Sequence, residues 1–153
     1  MKISSTISCA AAIAAALFLT ASCAKIYDLS IESLRDQVSK ASPVTRPVAN
    51  DHNLVYAYSH ERETNGLDSL VCTSGKKKTP ITVHLNPNMT MEVTDTAKTP
   101  AKTMFYLDSV FCNDSTLVGQ QSQILKEQTA IKYGTIKTLK VNASHKGDLK
   151  YSK

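Results

Sequence analysis

The chain has 153 residues, of which 42% are hydrophobic and 20% charged, and it carries a net charge of +5 at neutral pH. This length suits one domain with its own core and leaves no room for a second large one. Its positive charge is mild and includes only three arginines, Arg35, Arg46 and Arg62. We therefore expect no nucleic-acid binding, which usually needs a strongly basic face.

The first residues have the layout of a secretory signal. Lys2 supplies a positive charge, and the uncharged run CAAAIAAALFL follows at 9–19. That run is too short to span about 30 Å of hydrocarbon, which needs about 20 residues. The sequence predicts a signal peptide over 1–22 and no transmembrane helix.

The segment LTASC at 19–23 resembles the lipobox of bacterial lipoproteins, in which the cysteine is acylated and becomes the first residue. The leucine lies four residues before Cys23, whereas the commonest lipobox has it three before. Soluble secretion is the alternative, because Ser22 and Ala24 also suit ordinary cleavage. We predict acylation of Cys23, with palmitate among the acyl chains. Each buried methylene contributes about 0.8 kcal/mol, so several chains would hold the domain on a membrane.

The residues after Cys23 bear on where the protein would be anchored. Lys25 follows the predicted anchor, and no acidic run that would resemble a surface-export tag comes after it. We therefore expect a cell-envelope protein on the outer membrane, with its periplasmic face favoured.

Two cysteines, Cys72 and Cys112, remain once Cys9 has left with the signal and Cys23 is acylated. An exported protein meets an oxidising compartment, which favours a disulfide between them. It would close a loop of about 40 residues and contribute about 3 to 4 kcal/mol in the chain-entropy model. Two buried free thiols are the alternative.

One amphipathic helix is predicted over 28–41. Asp28 or Ser30 would cap its start and Pro43 would end it. Apolar residues share one face at helical spacing: Ile31, Leu34, Val38 and Ala41. The other face has mixed charge, which favours packing on the domain over lying on a membrane. Residues 42–53 contain two prolines and are predicted to be a linker or an extended crossover.

From Leu54 onward the pattern is typical of β-structure. It predicts seven or eight short antiparallel strands in a sandwich, partial barrel or meander over 54–153, with 23–53 as anchor, helix and linker. Turns are predicted at 61–68 and 75–78. The predicted strands are LVYAYSH, SLVCTS, PITVHLN, TMEVTD, KTMFYLDSVFCND with a bend at Asp108, TAIKY, and TIKTLKV after a bulge. The segment from Leu117 to SQIL, or LKYSK at the end, would supply the eighth.

The C-terminal half carries an FYxD strand, a DSxxxG turn, a serine-containing strand and an IxxxxIxxxxV segment. The residues concerned are Phe105, Tyr106, Asp108, Asp114, Ser115, Gly119, Ser122, Ile131, Ile136 and Val141. This order resembles small envelope lipoproteins of Bacteroidota, over about half of the chain that follows the signal. Gln123 stands where that pattern has an arginine. The resemblance implies a lipidated envelope protein and no particular activity.

The same resemblance implies O-glycosylation at Asp-Ser or Asp-Thr followed by a small or apolar residue. Four positions match: Ser69, Thr96, Ser109 and Ser115. A serine inside a strand would be inaccessible to a glycosyltransferase. We therefore favour Thr96, which has the most loop-like context.

The sequence contains no recognisable catalytic constellation. The histidines His52, His60, His84 and His145 are scattered. HERE at 60–63 is predicted to be a surface turn, since its side chains would not converge as those of an HExxH helix do. We expect no cofactor and no metal. The predicted role is structural or binding rather than enzymatic, with a protein or glycan partner unspecified. A soluble secreted β-domain and a small envelope hydrolase with an unrecognised site are the alternatives.

Three consecutive lysines, Lys76, Lys77 and Lys78, follow Gly75. Clustered lysines attract anionic lipid headgroups or surface polysaccharide at low salt. Lysines after a glycine are more typical of a solvent-exposed hairpin tip, which is the structure we predict here.

Overall fold

A computed structural model describes residues 25–50, 59–97, 101–123, 125, 127–143 and 149–151. Within these residues the chain is mainly β with one α-helix, as predicted. The helix is α1 (Ile31–Lys40), and two 3-10 turns are η1 (Leu107–Ser109) and η2 (Tyr133–Thr135). The strands are β1 (Ile26–Leu29), β2 (Val44–Asn50), β3 (Ser59–Thr64), β4 (Ser69–Ser74), β5 (Thr79–His84), β6 (Thr90–Asp95), β7 (Lys102–Tyr106), β8 (Val110–Cys112), β9 (Thr116–Gln120), β10 (Gln128–Lys132), β11 (Ile136–Asn142) and β12 (Leu149–Tyr151).

The strands form three antiparallel sheets. The largest has six strands in the order β5-β4-β1-β11-β6-β7, and the other two have the orders β10-β9-β8 and β12-β2-β3. All pairings between these strands are antiparallel, as the sequence predicts.

Two bent strands join the first two sheets into a partial barrel. β7 continues through η1 into β8, and β10 continues through η2 into β11. β6 pairs with β7 and β11, whereas β9 pairs with β8 and β10. Each bent strand takes part in both sheets. β6, β7 with β8, β9, and β10 with β11 therefore pair in a closed ring. The predicted bend at Asp108 is confirmed by η1, and the predicted bulge lies in β11 between Ile136 and Thr138.

One hydrophobic core joins the inner side of these strands to α1, β1, β4 and β5. Met91 and Val93 of β6 are fully buried, as the alternation in TMEVTD requires of a strand with one inward face. Phe105 of β7 packs across the barrel against β9. A Cβ at Gly119 would lie 2.6 Å from the Phe105 ring, so glycine is needed there for the ring to fit.

Helix α1 packs on the domain, as predicted. Ser30 caps it, since the Ser33 backbone N–H donates to the Ser30 hydroxyl at 3.1 Å. Leu34 and Val38 are buried in the core. Gln37 fixes the helix to β4, because its side chain accepts from the Val71 N–H at 2.7 Å and donates to the Val71 carbonyl at 3.0 Å.

The structure corrects several predicted boundaries. The helix begins at Ile31 rather than at residue 28, because 26–29 form β1 inside the six-stranded sheet. The predicted linker contains β2, and the predicted turn at 61–68 contains the second half of β3. β2 and β3 pair with each other, from Val44 opposite Thr64 to Ala49 opposite Ser59. The described strands therefore exceed the predicted seven or eight.

Other predictions concern residues outside the described ranges. The signal peptide 1–22, Cys23 and most of the strand predicted at 54–60 lie there. None of the helices in the described part of the chain is both long and apolar enough to cross a bilayer.

Candidate functional site

A buried polar cluster joins three separate segments of the chain. The Arg62 guanidinium, on β3, donates from Nε to the Ser109 hydroxyl at 2.8 Å and from Nη2 to Asp108 Oδ1. The Tyr151 hydroxyl, on β12, donates to Asp108 Oδ2 at 2.7 Å. The guanidinium also lies 4.9 Å from the centre of the Tyr106 ring. We call these five residues the Arg62 cluster.

The charged pair of the Arg62 cluster is almost inaccessible to solvent, whereas Tyr106 and Tyr151 are half-buried. The side chains of Arg62 and Asp108 are 4% and 1% exposed. Burial raises the pKa of Asp108, while the Arg62 charge and the hydrogen bonds from Tyr151 and Ser109 act in the opposite direction. Burial also raises the pKa of Tyr151, so this hydroxyl keeps its proton and remains a donor. Nη1 of Arg62 is buried and has no hydrogen-bond partner in the described part of the chain.

Asn65 fixes the 3-10 turn η1, which carries two members of the cluster. Its side-chain amide donates to the Leu107 carbonyl at 2.9 Å and to the Val110 carbonyl at 3.1 Å. Its backbone N–H donates to the Asp108 carbonyl at 2.7 Å. The cluster therefore ties β3 and β12 to the bend between β7 and β8.

The sequence did not predict this cluster. HERE at 60–63 was predicted to be a surface turn, and that prediction is wrong because these residues lie in β3. Along β3, Glu61 and Glu63 are exposed, whereas Arg62 and Thr64 are buried. The signal available in the sequence was this alternation, with a cation and a threonine in the inward positions that apolar residues usually take.

A second charged region lies at the end of the six-stranded sheet where β1 begins. β1 and β4 are antiparallel, with Asp28 opposite Thr73, and this register places Ile26 next to the turn 75–78. Glycine is required at the start of the turn, where φ is +69°, and the Lys78 N–H donates to the Gly75 carbonyl at 3.1 Å. The hairpin tip predicted there is confirmed.

We call this region the lysine edge: Lys25, Ile26 and the tip residues Lys76, Lys77 and Lys78. All five are exposed, and Ile26 is 60% exposed. Within the described ranges, none of these lysines forms an ion pair. No carboxylate occurs in 25–27 or 74–79. The region is therefore basic and partly apolar, and the first carboxylate along β1 is Asp28, which is exposed on the same face of the strand as Ile26.

A cleft of about 480 Å³ lies beside the lysine edge, between the start of α1 and strands β1, β4 and β11. Its lining includes Ile31, Cys72, Thr73, Lys78 and Thr138. Burial raises the pKa of the Cys72 thiol to about 11. Since the thiolate is the nucleophilic form, Cys72 is a structural thiol at neutral pH.

The predicted disulfide between Cys72 and Cys112 is not present in the structure, where both are free thiols. Cys72 lies in β4 opposite Ile81, whereas Cys112 ends β8 opposite Leu117, in a different sheet. Burial raises the pKa of Cys112 as well.

The candidate glycosylation sites differ in accessibility. Thr96 is exposed in the turn after β6, where its hydroxyl donates to the Thr135 carbonyl at 3.1 Å. Ser109 is fully buried in the Arg62 cluster, while Ser115 is exposed and Ser69 lies in β4. Glycosylation of Thr96 stays a prediction.

Two of the four histidines lie in the described part of the chain, in strands of different sheets. His84 is exposed at the end of β5, and His60 pairs with Val48 along β3. His52 and His145 lie outside the described residues. Within those residues, no group of three histidine, cysteine or carboxylate side chains could hold a metal ion.

No family model, curated protein or solved structure matches this chain.

Proposed function

We propose that this chain is a lipid-anchored cell-envelope protein, acylated at Cys23, whose β-domain has a structural or binding role at the membrane surface. The outer membrane is the favoured site, with the domain on its periplasmic side. The resemblance to Bacteroidota lipoproteins supports the same assignment.

The observation that carries this proposal is the place where the sheet begins. β1 starts at Ile26, and two strands flank it within the six-stranded sheet. Only two residues separate Cys23 from Ile26. Cleavage before Cys23 would therefore remove the apolar segment and leave the whole of β1 in the mature chain.

A structural or binding role is supported by the state of the chain's reactive groups. The Cys72 thiol has a raised pKa and is protonated at neutral pH, and the Asp108 carboxyl is engaged by three side chains inside the Arg62 cluster. By contrast, the charges at the lysine edge are exposed and available to a partner.

Metabolic labelling with a radioactive or clickable fatty acid in a bacterial host tests the anchor. We expect the wild type to take up label and to sediment with membranes. Cys23→Ala should remove the label, and globomycin should cause the unprocessed precursor to accumulate. Cys112→Ser is the matched control, because it also removes one cysteine and should keep the label.

A soluble, unlabelled wild type would overturn the anchor. So would label that persists in Cys23→Ala, since the acyl chain would then be attached elsewhere.

A further inference from the structure

We propose that the lysine edge binds the anionic headgroups of the membrane in which the protein is anchored, and so sets the orientation of the β-domain on it. This inference rests on the proposed anchor at Cys23. It adds a second contact, made by the folded domain itself.

The first step is the short reach of the chain between the anchor and the sheet. A fully extended chain covers at most about 3.6 Å per residue, so an acylated Cys23 would keep Ile26 within about 11 Å of the lipid surface. Ile26 is 60% exposed and belongs to a strand inside the sheet. The end of the sheet that carries Ile26 must therefore face the membrane or lie beside it.

The second step is that the turn 75–78 lies at this same end. β4 neighbours β1, and β5 neighbours β4, with spacings of about 4.8 Å between adjacent strands. The tip lysines are thus roughly one to two strand spacings from Ile26. When this end of the sheet faces the membrane, the tip is level with Ile26 and lies about as far from the lipid, which is about one Debye length at 0.1 M salt.

The third step is the charge of this region. Lys25, Lys76, Lys77 and Lys78 are exposed, and within the described ranges the neighbouring carboxylates Asp28 and Glu32 form no ion pair with them. By contrast, Lys40 and Lys102 are paired with Asp36 and Glu92. The uncompensated lysines therefore lie where the chain would meet the lipid, together with an exposed isoleucine that can enter the interface.

The size of the effect follows from the attraction of lysine to an anionic bilayer. Each lysine near the surface strengthens binding about five-fold at moderate salt. Three tip lysines would together contribute a factor of about 100. That is enough to fix an orientation in a domain that the acyl chains already hold at the surface.

Lysine footprinting on the full acylated protein tests the proposal. The protein is reconstituted in vesicles of phosphatidylcholine alone or of phosphatidylcholine with phosphatidylglycerol, and its amines are labelled and quantified by mass spectrometry. We expect Lys76, Lys77 and Lys78 to react several-fold more slowly on the anionic vesicles. About 1 M sodium chloride, where the Debye length is about 3 Å, should restore their reactivity.

Two lysines of the same protein serve as internal controls. Lys102 begins β7, at the opposite end of the six-stranded sheet, and Lys132 ends β10 in another sheet, and both are exposed. Their reactivity should not change. The double variant Lys76→Glu, Lys77→Glu should abolish the protection of Lys78, whereas Lys132→Glu should leave it intact.

The outcomes separate the anchor from the orientation. A protein that fails to float with phosphatidylcholine vesicles would contradict the anchor. One that floats with both vesicles, but whose tip lysines react equally on both, would overturn the lysine edge as a lipid-binding surface. Equal protection of all lysines would also overturn it. So would protection by added dextran sulfate without protection by phosphatidylglycerol, because the partner would then be an acidic polysaccharide.

Discussion

The Arg62 cluster and the lysine edge use positive charge in opposite ways. In the Arg62 cluster one guanidinium is buried among a carboxyl, a hydroxyl and an aromatic ring, and it connects segments far apart in sequence. At the lysine edge the ammonium groups are exposed and have no internal partner in the described part of the chain. The two regions also lie near opposite edge strands of the six-stranded sheet. The Arg62 cluster is near β7, and the lysine edge is near β4 and β5.

This difference separates charges that hold the fold from charges that are free to meet a partner. A buried charge has lost its hydration and is costly to leave unpaired. An exposed lysine is fully hydrated and contributes little to folding. Replacing a basic residue should therefore lower the free energy of unfolding much more in the Arg62 cluster than at the lysine edge.

The largest effect is expected for Arg62→Ala. It leaves Asp108 buried without its cation, and breaking a buried ion pair in this way costs about 3 to 5 kcal/mol. Urea denaturation would measure the loss in the free energy of unfolding. Lys40→Ala removes an exposed pair with Asp36 and is the control, with an expected cost of about 0.5 kcal/mol or less. Equal effects of the two substitutions would contradict the structural role of the cluster.

Tyr151→Phe should have a smaller effect. It removes one hydrogen bond to Asp108 Oδ2 and keeps the ring, and a hydrogen bond to a charged group contributes about 1.5 to 3 kcal/mol. Thermal or urea unfolding would detect it. Tyr133→Phe removes an exposed hydroxyl that donates to the Asn113 carbonyl, and it should cost about 1 kcal/mol or less. A neutral Tyr151→Phe would show that β12 does not depend on the cluster.

The raised pKa of Asp108 should make the free energy of unfolding depend on pH. Because burial raises its pKa, the folded protein keeps a proton that the unfolded chain releases at about pH 4. This contribution is present at acid pH and is lost as the pH rises through the raised pKa. The stability of the wild type relative to Asp108→Asn should therefore fall as the pH rises above about 4, where the unfolded chain has released the proton that the folded protein still holds.

Denaturant titrations of both proteins across this range would measure that difference. Glu63→Gln, at an exposed carboxylate of β3, controls for general effects of acid. If the advantage of the wild type grew as the pH rose, the attraction of Arg62 would outweigh the cost of burying the carboxylate.

The smallest effect on folding is expected at the lysine edge. Lys76→Gln with Lys77→Gln should change the free energy of unfolding by less than about 0.5 kcal/mol, because both side chains are exposed and unpaired. The same variant should weaken protection on anionic vesicles. A large loss of stability would mean that these lysines serve the fold, and the contrast with the Arg62 cluster would disappear.

Much of the fold could be predicted from local patterns. Alternation gave β4 and β6 their correct positions, and the apolar spacing of Leu34 and Val38 gave α1 its buried face. The turn at 75–78 followed from a glycine before three lysines. β1, β2 and β3 could not be predicted in this way. β1 is only four residues long, and it is a strand because β4 and β11 pair with it on either side.

The candidate sites also differ in how far the sequence could predict them. The sequence by itself determined the basic tip, its glycine and the candidate anchor at Cys23, since each is a run of neighbouring residues with its own chemistry. Only the tertiary structure could show that the tip lies beside Ile26, and that Arg62, Asp108 and Tyr151 meet. These residues are separated by 46 and 43 positions. Nothing local in the chain relates them, and their contact arises only when the three sheets pack together.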